Sequence, residues 1–271
     1  NLKLTVDKEA VVRNGIVPES MKDQIVDEIV WRIPENVNYL YKNDLMLLDF
    51  MASNDWTRAV YFTSLSDIKN VLGIDKYLHQ EGLSHRFIPV VASDYHKDAG
   101  GVYIDGSYEL LMADDIRWGN LNLPEVSVDP ESRRNLLFVK QAYMRLADAL
   151  VNRNQNDSAI AVLDRCQEFF PDEKVPYDLY MMAYPEIYYQ AGAVEKGDEL
   201  INKIIDNCLD NLRYFESLDS RFVSYYTEDI RENLAMINEM SNVAAKAKRS
   251  ELKTRLDNTL EQEFNKFLEV F

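Results

Sequence analysis

The sequence is poor in the residues that build metal sites and disulfide frameworks. It holds two cysteines and three histidines among 271 residues. Cys166 and Cys208 are 42 residues apart, a spacing that fits neither a zinc motif nor a disulfide framework. Cys166 falls at a small, buried position of the repeat pattern described below, so we expect a packed free thiol there. We therefore predict no metal site, and we expect no cofactor.

Positive charge and long apolar runs are also scarce. Lys and Arg number 30 against 46 Asp and Glu, which gives a formal net charge of −16. Nucleic acids and anionic lipids bind concentrated basic surfaces, so we expect neither as a partner, whereas basic or neutral partners suit an acidic surface. No apolar run reaches 18 residues, which predicts a soluble chain without a membrane span. The single basic cluster is interrupted by acids and indicates a solvated helix face: Lys246, Lys248, Arg249, Lys253 and Arg255.

Length and composition predict two domains. Prolines and polar residues break the periodicity at residues 122–133. We therefore predict an α/β domain at residues 1–125 and an all-α, tetratricopeptide-like helical domain at residues 130–271. The chain begins with Asn1 rather than Met and has no visible signal peptide, so we expect a fragment of a longer protein or a processed chain.

Short β-branched and aromatic runs alternate with helical patterns in the first half. Strand-type runs occupy residues 2–6, 29–33, 59–62 and 86–91, and an amphipathic helix pattern occupies residues 39–51. Strands that alternate with helices are typical of an α/β layer. We therefore predict a sheet with mainly parallel pairing in this half.

The second half contains tetratricopeptide spacing, in which large and small apolar positions recur in a fixed order before a closing proline. This pattern predicts helix A from residue 136 to 152 and helix B from residue 157 to 169. Such a helix pair stacks on its neighbours and presents a concave surface for binding, with no chemistry of its own. The positions that carry the pattern are Tyr143, Leu146, Ala147, Leu150, Ala159, Leu163, Cys166 and Pro171.

A second unit and a degenerate third pair follow the first. The second unit is offset by 38 residues, and Pro185 inside its helix A should kink or shorten that helix. A last helix fits the role of a terminal cap over the stack. The second unit is carried by Met181, Tyr184, Pro185, Tyr188, Gly197, Ile201 and Ile204, and the third by Tyr226, Ile230, Leu234, Ile237 and the stripe Leu252, Leu256, Leu260, Phe264, Phe267 and Phe271.

Several short phrases occur together in the chain. They are DE at 27–28, YLYKNDLMLLD at 39–49, NDW at 54–56, RAVYF at 58–62, GIDKY at 73–77, EGL at 81–83 with Arg86 and Pro89, RWGN at 117–120, DSAI at 157–160 and DEKVPY at 172–177. Together these phrases resemble the C-terminal soluble portion of a large bacterial membrane-protein family of unassigned function, over roughly residues 2–215. The multi-spanning N-terminal part of that family is similar to lipid-sugar-dependent glycosyltransferases of the protein O-mannosyltransferase type.

The resemblance implies an extracytoplasmic, periplasmic tail of an integral membrane protein of the bacterial inner membrane. In glycosyltransferases of that architecture, the catalytic acid and the lipid-phosphate site belong to the membrane part. None of those positions occurs in this chain, so the resemblance assigns no catalytic residue here.

Glu81 and Arg86 form the best candidate site of the first half. Arg86 suits bidentate binding of a carboxylate or phosphate. A structural salt bridge to Glu81 or Asp75 is the favoured alternative, since ion pairs also occur where no function exists.

Two weaker candidates contain histidine. Asp94, His96 and Asp98 form an Asp-x-His-x-Asp run that would suit a cation, although an ordinary polar loop is favoured. His85 with Glu81 would suit acid–base chemistry, but no nucleophile motif or phosphate loop accompanies them, so structural roles are favoured.

Tyrosines are concentrated around residue 180. Tyr177, Tyr180, Tyr184 and Tyr188 are spaced three, four and four, which predicts one shared helix face. That face would either line a groove that stacks on a peptide or sugar, or pack in the core with hydroxyls reaching solvent. Tyr177 and Tyr180 stay open between these alternatives, whereas Tyr184 and Tyr188 favour the core.

These observations favour non-catalytic binding as the function. We expect an extracytoplasmic domain of a glycosyltransferase-like membrane protein that binds an acceptor protein, a glycan or a partner subunit on the helical surface. Two alternatives stay open. In the first alternative, the α/β half is an enzyme that acts on a sugar or phosphate ester. A deep pocket with Arg86, Glu81, Asp75 and Asp44 would favour this alternative. Alternatively, the chain is a structural cap or dimerisation module for the membrane part, which an exposed apolar patch near the C-terminal stripe would favour.

Overall fold

The computed structural model describes residues 2–31, 39–64, 74–92 and 100–268, and the chain divides into two compact units. Unit 1 is Asn1–Asp114 and unit 2 is Asp115–Phe271. The division precedes the proline-containing segment that the sequence suggested. The reason is local: the Trp118 ring contacts the Phe170 ring edge-on at 5.1 Å, and the Lys174 ammonium donates to the carbonyls of Pro124 and Val126 at 2.8 and 2.6 Å. Residues 115–128 are therefore held by the helical unit.

Unit 1 is a mixed α/β unit, and its described residues form six strands, three short helices and two 3₁₀ turns. The elements are β1 (Leu2–Thr5), α1 (Lys8–Arg13), a 3₁₀ turn (Glu19–Gln24), β2 (Glu28–Trp31), α2 (Lys42–Ser53), β3 (Val60–Phe62), a 3₁₀ turn (Asp75–Tyr77), β4 (Leu78–Glu81), β5 (Ser84–Phe87), β6 (Gly101–Val102) and α3 (Ile104–Leu111). The strands form a two-stranded sheet with the order β1-β2 and a four-stranded sheet with the order β3-β5-β4-β6.

The prediction of mainly parallel pairing is wrong. Three of the four strand pairs in the described residues are antiparallel, namely β1 with β2, β3 with β5 and β4 with β5, and β4 pairs in parallel with β6. The physical reason is the connection between β4 and β5. Glu81 pairs with Ser84, so only two residues turn the chain, and such a turn can join only antiparallel strands.

The core of unit 1 lies between the strands and the neighbouring turns. Val11, Ile29, Ile74, Leu78 and Ile88 are fully buried. The Trp56 ring stacks on the Phe87 ring at 6.0 Å, and its indole N–H donates to the Thr5 carbonyl at 3.2 Å. This packing fixes β3 and β5, which carry part of the first candidate site.

Unit 2 is helical. Two helices, α4 (Pro130–Asn152) and α5 (Asn156–Phe169), agree closely with the predicted helices A and B. Asp129 caps α4 by accepting from the backbone N–H groups of Glu131 and Ser132. The remaining elements are a 3₁₀ turn (Leu179–Met181), α6 (Ala183–Gln190), α7 (Val194–Glu216), α8 (Ser220–Val223), a 3₁₀ turn (Ser224–Tyr226), α9 (Thr227–Lys246) and α10 (Ser250–Lys266).

Six of these helices form three hairpins, α4/α5, α6/α7 and α9/α10, and each hairpin closes with the same turn. Three residues connect the helices, and the middle one has a positive φ: Asn154 at 59°, Gly192 at 87° and Lys248 at 60°. In each turn the next residue donates its backbone N–H to a carbonyl five positions back. The pairs are Gln155 to Leu150 at 2.9 Å, Ala193 to Tyr188 at 2.9 Å and Arg249 to Ala244 at 2.8 Å. This is the Schellman arrangement, which satisfies the last carbonyls of the first helix.

The positions of the repeat pattern lie in the core of unit 2. Tyr143, Leu146, Ala147, Ala159, Leu163 and Cys166 are all fully buried. Gly197 of α7 lies against the ring of Tyr189, where an added Cβ would be 2.7 Å from the nearest ring atom. Pro185 occupies the first turn of the short helix α6, where a proline removes no helical hydrogen bond.

Candidate functional site

The first candidate site is built on the β4–β5 hairpin of unit 1. Gly82, at the first position of the two-residue turn, has a φ of 65°. Residues with a Cβ rarely adopt this backbone conformation. Arg86 of β5 lies opposite Tyr61 of β3 and His79 of β4. Since side chains alternate across a strand, Tyr61, Arg86, His79 and Glu81 share one face of the sheet.

The charged groups on this face are partnered internally. The Arg86 guanidinium donates through Nη1 to both Glu81 carboxylate oxygens at 3.1 and 3.3 Å, and through Nη2 to the carbonyl of Gly15. The Tyr61 hydroxyl donates to Glu81 Oε2 at 2.6 Å. Burial and this hydrogen bond raise the pKa of Tyr61 to about 12. The Glu81–Arg86 pair therefore ties the turn after α1 to the sheet, as the structural alternative requires.

The other acidic and histidine candidates of unit 1 have different surroundings. Asp44 accepts the backbone N–H of Tyr41 at 2.9 Å and so caps α2. His79 is buried, with its Nε2 3.0 Å from the Val90 carbonyl. His85 pairs with Gln80 and lies on the sheet face opposite to Glu81 and Arg86. The possible His85–Glu81 acid–base pair is therefore wrong, because neighbouring positions on a strand point to opposite faces.

The second candidate site is the segment between α5 and α6 in unit 2. Asp172 organises this segment by accepting the backbone N–H of Tyr177 and the side-chain amide of Asn207, both at 2.7 Å. The buried Lys140 ammonium donates to the Val175 carbonyl at 2.8 Å and lies 4.8 Å from the centre of the Tyr177 ring. Burial lowers the pKa of Lys140 to about 8. These contacts fix Tyr177 with only 6% of its surface exposed.

The structure separates the four tyrosines that the spacing grouped. Tyr177 precedes the 3₁₀ turn, Tyr180 lies in it with 45% exposed, and Tyr184 and Tyr188 lie buried in α6. The prediction of one shared helix face is wrong. Asp178 caps the 3₁₀ turn by accepting the Tyr180 N–H at 3.0 Å, and a separate α-helix begins only at Ala183.

The two buried tyrosines are inside the helical packing. The Tyr184 hydroxyl donates to the Lys140 carbonyl at 2.7 Å and lies 3.1 Å from the Cys166 sulfur. The Tyr188 hydroxyl donates to Asp164 at 2.8 Å. These contacts agree with the core alternative, because each hydroxyl bonds to a protein partner.

A cleft of about 460 Å³ opens beside Tyr177, and we call it the acidic cleft. Six of its thirteen lining residues are Asp or Glu, and three are Asn. Lys203 pairs with Glu173 at 3.0 Å and Arg213 with Asp210 at 2.6 Å, both from outside the lining. In the described part of the chain the other four carboxylates have no ion pair: Asp172, Asp178, Asp229 and Glu232.

The acidic cleft is built from three separate segments. Asp172, Glu173, Pro176, Tyr177 and Asp178 precede α6. Helix α7 supplies Asn207 and Asn211 at helical spacing, and α9 supplies Asn233, whose amide oxygen accepts from Asn211 at 3.1 Å. Burial raises the pKa of the Asp178 carboxyl. A cation bound beside Asp178 would lower that pKa again. The remaining lining residues are Cys208, Asp210, Asp229, Glu232 and Met236.

A second cleft, of about 420 Å³, shares Tyr177 with the acidic cleft. We call it the mixed cleft because Lys196 and Lys203 lie there with Asp164, Glu168 and Glu199. The Lys203 ammonium is 5.7 Å from the centre of the Tyr177 ring and pairs with Glu173 of the acidic cleft. This ion pair and the Tyr177 ring therefore separate the two clefts.

Within the described residues, no group of three or more His, Cys, Asp and Glu side chains is placed to hold a metal ion. Asp94, His96 and Asp98 lie outside the described residues. Cys166 and Cys208 are buried, and burial raises the pKa of each thiol to about 12, so neither is a thiolate near neutral pH.

Sequence reasoning missed Lys140 and the asparagines of the acidic cleft. Lys140 stands in the apolar stripe of α4, where a charged residue is a signal of a special role. Asn207 and Asn211 are spaced by one helical turn, a signal that was available. Asn233 belongs to a different helix, so its proximity follows only from the packing.

Comparison with protein families gives a match for the first part of the chain. Residues 1–105 match the family described as TMEM260-associated domain 2, which is consistent with a domain of a TMEM260-like membrane-protein family. No curated protein and no solved structure matches the chain. In the residues that the structure describes, no helix combines the length and apolar character needed to cross a bilayer.

Proposed function

We propose that the chain is a non-catalytic, extracytoplasmic domain of a glycosyltransferase-like membrane protein. Its helical unit binds an acceptor protein, a glycan or a partner subunit. The acidic cleft carries this proposal, because it combines a concave shape with unpaired carboxylates, amide groups and a tyrosine. Such a lining suits an extended segment with a Lys or Arg side chain, whose cation meets the carboxylates while the asparagines bond its backbone.

The helical unit is proposed to be tetratricopeptide-like. Support comes from the three hairpins that close with the same Schellman turn and from the burial of the repeat positions in the first two hairpins. Repeats of this kind use the concave surface of the stack for recognition. The walls of the acidic cleft come from α7 of the second hairpin and α9 of the third, and we propose that the cleft is part of that surface.

The membrane context rests on two observations. One is the match of residues 1–105 to a domain associated with a membrane-protein family. The other is the resemblance of the chain to the soluble tail of a bacterial family with a glycosyltransferase-like membrane part. An extracytoplasmic position, on the periplasmic face of the inner membrane, follows from that architecture as part of the proposal.

The test is a binding screen of the purified chain against lysine- and arginine-containing peptides and a glycan array. Two variants probe the acidic cleft: the pair Asp229→Asn with Glu232→Gln, and Tyr177→Phe, which keeps the buried ring. Tyr180→Ala probes the exposed tyrosine in the 3₁₀ turn that follows Asp178. The matched controls are Glu131→Gln, a carboxylate on the exposed start of α4, and Tyr225→Ala, an exposed tyrosine elsewhere.

The expected result is saturable peptide binding that weakens with salt and falls about tenfold or more in the double carboxylate variant. The controls should bind like the unmodified chain. Binding that is equal in the cleft variants and the controls would place the ligand elsewhere. No binding to either library would contradict a free-standing recognition domain.

A structural cap for the membrane part is the second candidate. Near the end of α10, Phe264 and Leu268 are exposed, whereas Phe267 is buried and Leu260 is partly buried. Phe271 lies outside the described residues. The exposed pair is smaller than the predicted stripe. Sedimentation of the chain with Phe264→Ser and Leu268→Ser, compared with the unmodified chain, tests whether this end forms an oligomer contact.

A further inference from the structure

Helix α2 of unit 1 carries large apolar side chains on two opposite sides, and on the outer side they lie beside the exposed charges of Lys42 and Asp49. Its inner side packs Leu47, Leu48 and Met51 against the core of unit 1. Its outer side carries Leu45, Met46 and Phe50, which are 54%, 62% and 45% exposed. A surface helix normally presents polar residues on the side away from the core. Three large exposed apolar side chains on that side of α2 therefore mark a candidate contact surface.

Two exposed tyrosines directly precede the helix. Tyr39 and Tyr41 are both more than half exposed, and their rings contact edge-on at 5.2 Å with the hydroxyls 3.2 Å apart. We define the α2 face as Tyr39, Tyr41, Leu45, Met46 and Phe50. Tyrosine rings of this kind favour the boundary between water and an apolar phase, because the ring is apolar and the hydroxyl is polar.

The size of the α2 face argues against a second copy of the chain as its cover. Large apolar and aromatic side chains present roughly 150–250 Å² each, so five that are about half exposed present roughly 500 Å². A stable protein–protein interface needs about 800 Å² from each partner. The apolar area of the α2 face is larger than that of single scattered surface residues, yet it is too small to hold a dimer by itself.

The charges beside the α2 face are balanced. Lys42 and Asp49 are exposed on the same side of the helix as Leu45, Met46 and Phe50. The chain as a whole is strongly acidic, so electrostatic attraction to anionic lipid does not hold it at a membrane. The contact that suits this face is thus apolar insertion into an uncharged interface rather than charge pairing.

We propose that the α2 face lies in the headgroup–acyl boundary of a zwitterionic lipid bilayer. The inference rests on the membrane association in the proposed function. It does not depend on which ligand the helical unit binds. It gives unit 1 a role of its own, which is to hold the chain at the membrane surface.

The experiment uses Met46→Cys labelled with an environment-sensitive fluorophore. Cys166 and Cys208 are buried, so labelling of the folded chain is confined to the new cysteine. The matched control is Val12→Cys, an exposed apolar position on α1 of the same unit. A terminal histidine tag holds either labelled chain on phosphatidylcholine vesicles that contain a small fraction of nickel-chelating lipid, and lipid-borne nitroxide reports depth by quenching.

The label at residue 46 should shift to the blue and be quenched by the nitroxide lipid, and the label at residue 12 should not. Phe50→Ser with Leu45→Ser should reduce the quenching at residue 46 about tenfold, with little dependence on salt. The inference would be overturned if the label at residue 46 kept on vesicles the emission wavelength that it has in water. It would also be overturned if the chain formed a dimer and the variant Phe50→Ser with Leu45→Ser abolished that dimer. Peptide binding by the acidic cleft is measured without lipid, so failure of one proposal is distinguishable from failure of the other.

Discussion

The three hairpin turns of unit 2 make a prediction whose sign differs from turn to turn. Each turn has a middle residue with positive φ, but only Gly192 is a glycine, whereas Asn154 and Lys248 carry side chains. A left-handed conformation costs an ordinary L-residue about 1–2 kcal/mol, and asparagine less. A glycine at this position does not carry that cost. Its greater conformational freedom in the unfolded chain, however, lowers the free energy of unfolding by about 0.4–1 kcal/mol.

The net effects follow from these two terms. Lys248→Gly should raise the free energy of unfolding by about 1 kcal/mol, and Asn154→Gly should raise it by less than 0.5 kcal/mol, because asparagine tolerates the left-handed region. Gly192→Ala should lower it by about 1 kcal/mol. No heavy atom lies within 4 Å of a Cβ added at Gly192, so this cost is conformational and contains no steric clash.

Urea unfolding followed by circular dichroism at 222 nm measures these changes. Lys248→Ala is the control, because it removes the lysine side chain while it keeps the Cβ, and its stability should match that of the unmodified chain. A destabilised Lys248→Gly, or a Gly192→Ala as stable as the unmodified chain, would refute the reasoning and with it the equivalence of the three turns.

Three further predictions concern packing and buried charge. Gly197→Ala should destabilise unit 2 by about 1–3 kcal/mol in thermal unfolding, although alanine is the better helix former, because the new Cβ would be 2.7 Å from the Tyr189 ring; Tyr189→Leu should remove most of that cost. Burial lowers the pKa of Lys140 to about 8 from 10.5, so between these pH values the unfolded chain holds more protons and the contribution of Lys140 to stability rises with pH. The stability of the unmodified chain relative to Lys140→Met, followed by urea titration, should therefore increase from pH 8 to 10.5 by about 3 kcal/mol, and a constant difference would contradict the buried charge. Glu81→Gln should destabilise unit 1 by about 1–3 kcal/mol in denaturant unfolding, whereas Glu131→Gln at an exposed ion pair should change stability by less than about 0.5 kcal/mol; equal effects would mean that the Glu81–Arg86 pair is not structural.

Helices were the part of the fold that the sequence predicted well. The spacing of Tyr143, Leu146 and Leu150 reports burial every 3.6 residues, and α4 and α5 are long enough for that signal to be unambiguous. The strands of unit 1 are two to four residues long. A run that short shows that a strand exists but not which strand pairs with it or in which direction, so the parallel sheet was wrong.

The candidate site was predictable only in part. Tyr177 and Tyr180 were named from their spacing, but a count of three and four assumes one continuous helix, and the Asp178 cap divides the segment. The acidic cleft depends on residues 172–178, α7 and α9, which are distant in sequence. No local pattern brings Asn211 and Asn233 together, because their contact comes from the stacking of two hairpins.

The location of the acidic cleft between the second and third hairpins has a mechanical consequence. Contacts in the described part of unit 2 run from each hairpin to its neighbour, so α9 and α10 are held mainly by α7 and by each other. In such a linear array, opening starts at a terminal member and spreads inward. A ligand that bridges α7 and α9 would stabilise the terminal hairpin against this opening. Binding would therefore slow amide hydrogen exchange along α9 and α10, well beyond the residues that the ligand contacts.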